Sequence, residues 1–152
     1  MTSLTHAQRT DPLLRRGIGT VLVLLVIQFV SGMVLNLYVT LPPTHPGTGN
    51  SYAPSIPWAL AGGGGIVLAI HVATWIGLTI GGIILLVLGV LRRHRGYVIG
   101  TSIGLVSLLL AGSGGLTFLN RGGANTESLI MALGFLVAFV TYALTGYVTR
   151  GS

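Results

Sequence analysis

The stretch that decides the fold spans residues 58–95 and reads WALAGGGGIVLAIHVATWIGLTIGGIILLVLGVLRRHR. Residues 58–91 are apolar apart from two threonines and one histidine, His71, and four basic residues follow them. As one helix, this apolar run would be about 50 Å long, more than the roughly 30 Å hydrocarbon core of a bilayer. We therefore predict a transmembrane helix that tilts, extends beyond the membrane, or starts only after the glycine run 62–65.

Three further apolar runs have similar lengths. The four predicted helices cover about residues 17–40, 61–91, 97–119 and 127–148, with loops at 41–60 and 120–126. Only 7% of the residues are charged, against roughly 25% in a soluble protein. The sequence thus predicts one all-α membrane domain over residues 1–152, a bundle of four transmembrane helices. A signal peptide is the alternative for the first run, but the run is long for one and lacks a clean cleavage site.

The arginines predict the orientation of the bundle, and the chain has no lysine. Arg121 lies in a loop at one end of the predicted helices. The other seven arginines lie at the opposite end: Arg9, Arg15, Arg16, Arg92, Arg93, Arg95 and Arg150. Because arginine-rich segments stay in the cytoplasm, we expect both termini there, in a multi-pass protein of the plasma membrane. Because membrane topology explains the basic charge, nucleic-acid binding is not expected. The chain has no cysteine, which excludes metal sites with thiolate ligands.

His71 is the candidate functional residue, because an ionisable group inside a membrane span is costly and usually has a partner or a function. Met131 shares its predicted depth. The length of helix from His71 to Arg92 is similar to that from Met131 to Arg150. His71 and Met131 are therefore each about 30 Å from the arginine side. Histidine and methionine at one level can ligate a haem iron. The alternatives are an interior hydrogen bond for His71 and core packing for Met131.

Glycines and a second methionine lie at nearly the same level on the other two helices. Counted from the arginines that precede each helix, they are Gly32 and Met33 on the first, and Gly114 and Gly115 on the third. Glycine lets the backbone approach a flat ring closely, so we predict that these positions line a cofactor. Close packing between helices is the alternative.

Two residues of the predicted outer loops belong to the same hypothesis. Arg121 is the one outward arginine, and we expect it either to bind haem propionates or to pair with Glu127. His45 lies in the proline-rich loop, where it either folds over the site or stays in solvent.

Two segments carry a family resemblance: Gln28-Phe29-Val30-Ser31-Gly32-Met33-Val34 and Ala111-Gly112-Ser113-Gly114-Gly115-Leu116-Thr117. Over roughly residues 17–148 the arrangement resembles one four-helix half of the haem A synthase family. The resemblance implies a haem ligand at His71 and places the family's second histidine ligand at about Met131. The family's acidic residue before the first histidine and its arginine after that histidine are missing, so haem A synthesis is not expected.

We therefore predict a membrane b-type haem-binding protein with one haem b near the extracytoplasmic side, ligated by His71 and Met131. It would be an electron carrier rather than a stand-alone enzyme, exchanging electrons with a quinone or a redox partner protein. A homodimer is expected, because the related architecture joins two such bundles. The alternatives are an accessory or assembly subunit without cofactor, a small transporter, and a Cu(I) site formed by Met33, His71 and Met131.

Overall fold

The computed structural model describes residues 12–49, 52–123 and 125–148. These residues form α1 (Pro12–Tyr38), α2 (Ser55–Leu60), α3 (Ile66–Leu91), α4 (Arg95–Arg121) and α5 (Asn125–Val148), and none of them is in a strand. All of these helices except the short α2 are long and apolar enough to cross a membrane. The prediction of an all-α protein with four such helices is confirmed. Arg9 and Arg150, which the orientation prediction also uses, lie outside the described residues.

The transmembrane helix of the apolar run 58–91 begins at Ile66, after the glycine run, rather than at about residue 61. This start is one of the three options that the sequence left open. The apolar run is divided into α2 and α3 by the glycine run, in which Gly62 and Gly65 have φ angles of +84° and +87°. This left-handed backbone costs glycine little and cannot continue a right-handed helix. With its 26 residues, α3 is about 39 Å long and fits a bilayer with moderate tilt.

The long helices pack as a closed ring in which the backbone of each one lies close to those of two others. Helix α1 packs against α3, α3 against α4, α4 against α5, and α5 against α1. Among the described residues, neither diagonal pair (α1 with α4, α3 with α5) brings Cα atoms within 8 Å. The core consists of buried apolar and aromatic side chains from all four long helices: Leu14, Ile18, Val21, Leu25, Leu78, Leu85, Tyr97, Leu108, Ala138 and Tyr142. Side chains on the outside of the ring are also apolar, as expected in lipid.

Glycines make the interface between α4 and α5 the most extensive in the bundle. A Cβ atom at Gly104 would lie 2.6 Å from the ring of Tyr142, which is fully buried. A Cβ atom at Gly134 would lie 2.8 Å from the backbone oxygen of Ser107. Both glycines therefore allow close contact between the two helices.

The bundle has two unlike ends. At the arginine end, α1 begins and α3 turns into α4 through residues 92–95. At the cap end, α1 and α4 finish and α3 and α5 begin. The cap segment, residues 39–49 and 52–65, lies at this second end, where Gly49 N–H donates to the carbonyl oxygen of Asn120 at 3.0 Å.

Candidate functional site

His71 lies on the second turn of α3 and is hydrogen-bonded to α1 through both ring nitrogens. Its Nε2 lies 2.9 Å from the side-chain nitrogen of Gln28, and its Nδ1 lies 2.9 Å from Ser31 Oγ. Ser31 is buried, and Gln28 and His71 are half-buried. A polar group in an apolar span is stabilised only when its hydrogen bonds are made. The histidine therefore joins two neighbouring helices.

The hydrogen-bond network indicates which ring nitrogen carries the proton. Ser31 Oγ also lies 3.1 Å from the carbonyl oxygen of Gln28, which can only accept. If the serine hydroxyl donates there, it accepts from Nδ1–H of His71, and the Gln28 amide donates to Nε2. The other tautomer would need a flipped amide and would lose the bond from Ser31 to the carbonyl oxygen. The neutral ring with its lone pair on Nε2 thus makes the most bonds.

Two details show how closely α1 is fitted to the imidazole. A Cβ atom at Gly32 would lie 3.0 Å from Cε1 of His71, so this glycine gives room to the histidine ring itself. In contrast, Oε1 of Gln28 is buried and has no hydrogen-bond partner among the described residues. The site therefore contains one unused acceptor beside the imidazole.

Met131 lies at nearly the level of His71 but on the diagonal helix. Its sulfur would lie 3.3 Å from a Cβ atom at Gly115, so the methionine packs against α4. Trp75 lies one turn after His71 and packs against Gly112 of α4. Because α3 and α4 run in opposite directions, His71 lies nearly opposite residue 116, next to the Gly115 that Met131 contacts. The structure thus places the two predicted ligands at one level, with His71 hydrogen-bonded to α1 and Met131 packed on α4.

The other predicted site residues are dispersed. Met33 is 42% exposed on the outside of the bundle. A Cβ atom at Gly114 would lie 3.0 Å from the side chain of Ile130, so Gly114 serves packing between α4 and α5. Arg121 is exposed in the last turn of α4. Oε2 of Glu127 is buried and finds no hydrogen-bond partner in the part of the chain that the structure describes. Within the described ranges, no three histidine, aspartate or glutamate side chains are grouped to hold a metal ion.

A second polar cluster lies at the cap end. The buried Ser55 donates a 2.6 Å hydrogen bond to Oδ1 of Asn120, which is 2% exposed. The ring of His45 stacks on Trp58 with a centroid distance of 4.5 Å, and its Nε2 lies 3.1 Å from the carbonyl oxygen of Leu119. His45 therefore folds over the end of α4 and is half-buried rather than fully in solvent.

Sequence reasoning singled out His71 but did not assign its partners. Gln28 and Ser31 are separated by nearly one helical turn on α1, so they lie on one helix face. Counted from Arg16, both lie deep in the first span, within about two helical turns of the level predicted for His71. Polar residues at that depth and spacing are the feature of the sequence from which the partners of His71 could have been predicted.

Comparisons of the chain with protein-family models, with curated proteins and with solved structures found no match.

Proposed function

We propose that this chain is a haem-binding electron carrier of the plasma membrane, with His71 as an iron ligand. The observation that supports the proposal is the state of the imidazole ring. Its Nδ1 lies 2.9 Å from Ser31 Oγ and its Nε2 lies 2.9 Å from the side-chain nitrogen of Gln28. The tautomer inferred from these contacts has its proton on Nδ1 and its lone pair on Nε2, facing a side-chain amide. Metal-ligating histidines commonly have one nitrogen fixed by a neighbouring acceptor while the other faces the metal.

The residues fit a haem in part. His71 offers the right atom, provided that the Gln28 side chain turns away from Nε2. Met131 packs on Gly115, and Gly32 gives room to His71, so neither supplies an open position opposite the imidazole. The proposal therefore assigns one ligand, His71, and keeps Met131 as the second ligand only as a prediction. When bound, haem would supply one-electron redox chemistry.

The remaining parts of the proposal rest on the sequence. The arginine end would lie in the cytoplasm, which puts His71 toward the extracytoplasmic side of the membrane. Electron exchange there would involve a quinone in the lipid or a redox partner protein. A homodimer would allow a second copy to contribute the ligand opposite His71.

A second candidate function is that of an accessory or assembly subunit without a cofactor. The observation that favours it is that both ring nitrogens of His71 already have protein partners. In this case the histidine, Gln28 and Ser31 only fix the register between α1 and α3. Such interhelical bonds contribute roughly 0.6–2 kcal/mol in membrane proteins.

The two functions are distinguished by the absorption spectrum of protein purified after haem-replete expression, reduced minus air-oxidised. The haem proposal expects a sharp band in the wild type that is lost in His71→Ala. It also expects Gln28→Ala to retain or gain haem, because that variant removes the group that occupies Nε2. A colourless wild type would refute the haem proposal and leave the accessory function.

Two methionine variants test the second ligand in the same spectra. Met131→Ala shifts or broadens the band if Met131 ligates the iron, and leaves it unchanged if it does not. Met33→Ala is the matched control, because Met33 is exposed on the outside of the bundle. We expect its spectrum to equal that of the wild type.

A further inference from the structure

Two exposed arginines of α1 lie deeper in the bundle than the arginines of the turn between α3 and α4. A Cβ atom at Gly17 would lie 2.6 Å from the side chain of Leu85, so these residues of α1 and α3 share one level. Because the two helices run in opposite directions, Arg16 lies about 9 Å and Arg15 about 8 Å inside the level of Arg92. We call Arg15 and Arg16 the arginine pair.

The arginine pair lies at a level where α3 still exposes apolar side chains. By the same count, Arg15 is level with Val87, which is 50% exposed, and Leu91 lies about 6 Å farther out and is 70% exposed. Arg92 and Arg93 come after Leu91 and are outside this apolar surface, which is all that membrane topology requires of an arginine. Topology therefore does not explain the depth of the arginine pair.

Carboxylate groups of the chain do not neutralise the arginine pair. The sequence has two acidic residues, Asp11 and Glu127. Among the described residues the one carboxylate is Glu127, which lies in the first turn of α5 at the opposite end of the bundle. Asp11 lies outside the described residues and can balance at most one of the two charges. Since arginine does not lose its proton in proteins, positive charge remains at this level.

A lipid phosphate is the anion that a bilayer supplies at this level. An arginine near the edge of a membrane span extends its side chain toward the headgroups, and the bilayer thins locally to meet it. The guanidinium group can then form two parallel hydrogen bonds with a phosphate. The exposed aliphatic side chains of α3 beside the pair can be covered by the acyl chains of the same lipid, which a free phosphate ion lacks.

We propose that the arginine pair binds the phosphate of an anionic phospholipid whose acyl chains lie on the exposed aliphatic surface of α3. A headgroup with a net negative charge is preferred over a zwitterionic one, because the arginines of this end repel the cation that a zwitterionic headgroup carries. Arg92, Arg93 and Arg95 lie farther out and strengthen this preference at longer range. Lipid binding at this end does not depend on haem binding.

Native mass spectrometry of the full chain in detergent, titrated with phosphatidylglycerol, measures the affinity for such a lipid. We expect the double variant Arg15→Gln, Arg16→Gln to bind about thirtyfold more weakly, because each arginine near a headgroup contributes about fivefold. The matched control is Arg93→Gln, Arg95→Gln, which removes the same charge from the same end. Its affinity should fall by at most about fivefold, since these arginines lie roughly one Debye length from the pair at about 0.15 M salt.

Three results would overturn the lipid site. Equal weakening in the two double variants would mean that net charge alone attracts the lipid. Binding of phosphatidylcholine as tight as that of phosphatidylglycerol would remove the preference for an anionic headgroup. Displacement of the lipid by inorganic phosphate at the same concentration would indicate a site for a free anion. The last two measurements use the wild type, so they do not depend on the folding of a variant, and helical circular dichroism checks the folding of both double variants.

Discussion

Replacing Gly134 by alanine should separate α4 from α5 and destabilise the bundle. The new Cβ atom would lie 2.8 Å from the backbone oxygen of Ser107 and 2.9 Å and 3.0 Å from Cβ and N of Ala111. Backbone atoms cannot rotate away, so relief requires the helices to move apart by roughly 0.6 Å over their most extensive contact. Overpacking costs about 1–3 kcal/mol, and the better helix propensity of alanine returns up to about 1 kcal/mol. We expect a net loss of up to about 2 kcal/mol in the free energy of unfolding, and a loss of about 1–3 kcal/mol relative to the same substitution at a site without a clash.

Gly77→Ala is the matched control, because a Cβ atom at Gly77 has no neighbour within 4 Å. It makes the same chemical change in the middle of α3 without a clash, so stability should stay equal or rise by up to about 1 kcal/mol. Unfolding by sodium dodecyl sulfate in mixed micelles, followed by helical circular dichroism, measures both variants. If Gly134→Ala is as stable as Gly77→Ala, close backbone packing does not hold α4 and α5 together.

Three further predictions concern buried polar groups. Ser55→Ala should cost about 1–3 kcal/mol, because Oδ1 of the buried Asn120 would lose its bond, and Nδ2 already has no partner among the described residues; the assay is thermal unfolding in detergent. Tyr142→Phe should change stability by less than about 0.5 kcal/mol or increase it in the same assay, because the buried hydroxyl has no hydrogen-bond partner in the described part of the chain. A double-mutant cycle of Gln28→Leu and His71→Leu should give a coupling energy of about 0.6–1.7 kcal/mol, and additive single effects would mean that this bond contributes nothing.

Hydropathy predicts the helices of this chain well, because each span must be long and apolar whatever it packs against. The predicted boundaries are least accurate where glycine decides the backbone. Residues 58–91 read as one apolar run, and only the positive φ angles at Gly62 and Gly65 separate α2 from α3. Glycine permits such angles but does not require them, so the sequence left three options for this run.

The location of polar side chains around the bundle is harder to predict than their depth. Counting residues from the arginines gives the level of a side chain, because the rise per residue is fixed. It gives no information on which helices are neighbours. The count placed His71 and Met131 at one level, and the contacts of Trp75 and Met131 agree with that level. The helix order α1–α3–α4–α5 then puts the two residues on diagonal helices.

The same reasoning explains which glycines serve which purpose. A glycine near a buried histidine can make room for a cofactor or for the histidine, and the sequence is identical in both cases. In this structure Gly32 faces the imidazole, and Gly114 and Gly115 face Ile130 and Met131. A flat ring bound at His71 would therefore have to displace Gln28 rather than occupy space already left by glycine. For this reason Gln28→Ala is the most informative variant for function, because it removes the competing hydrogen bond and leaves the proposed iron ligand unchanged.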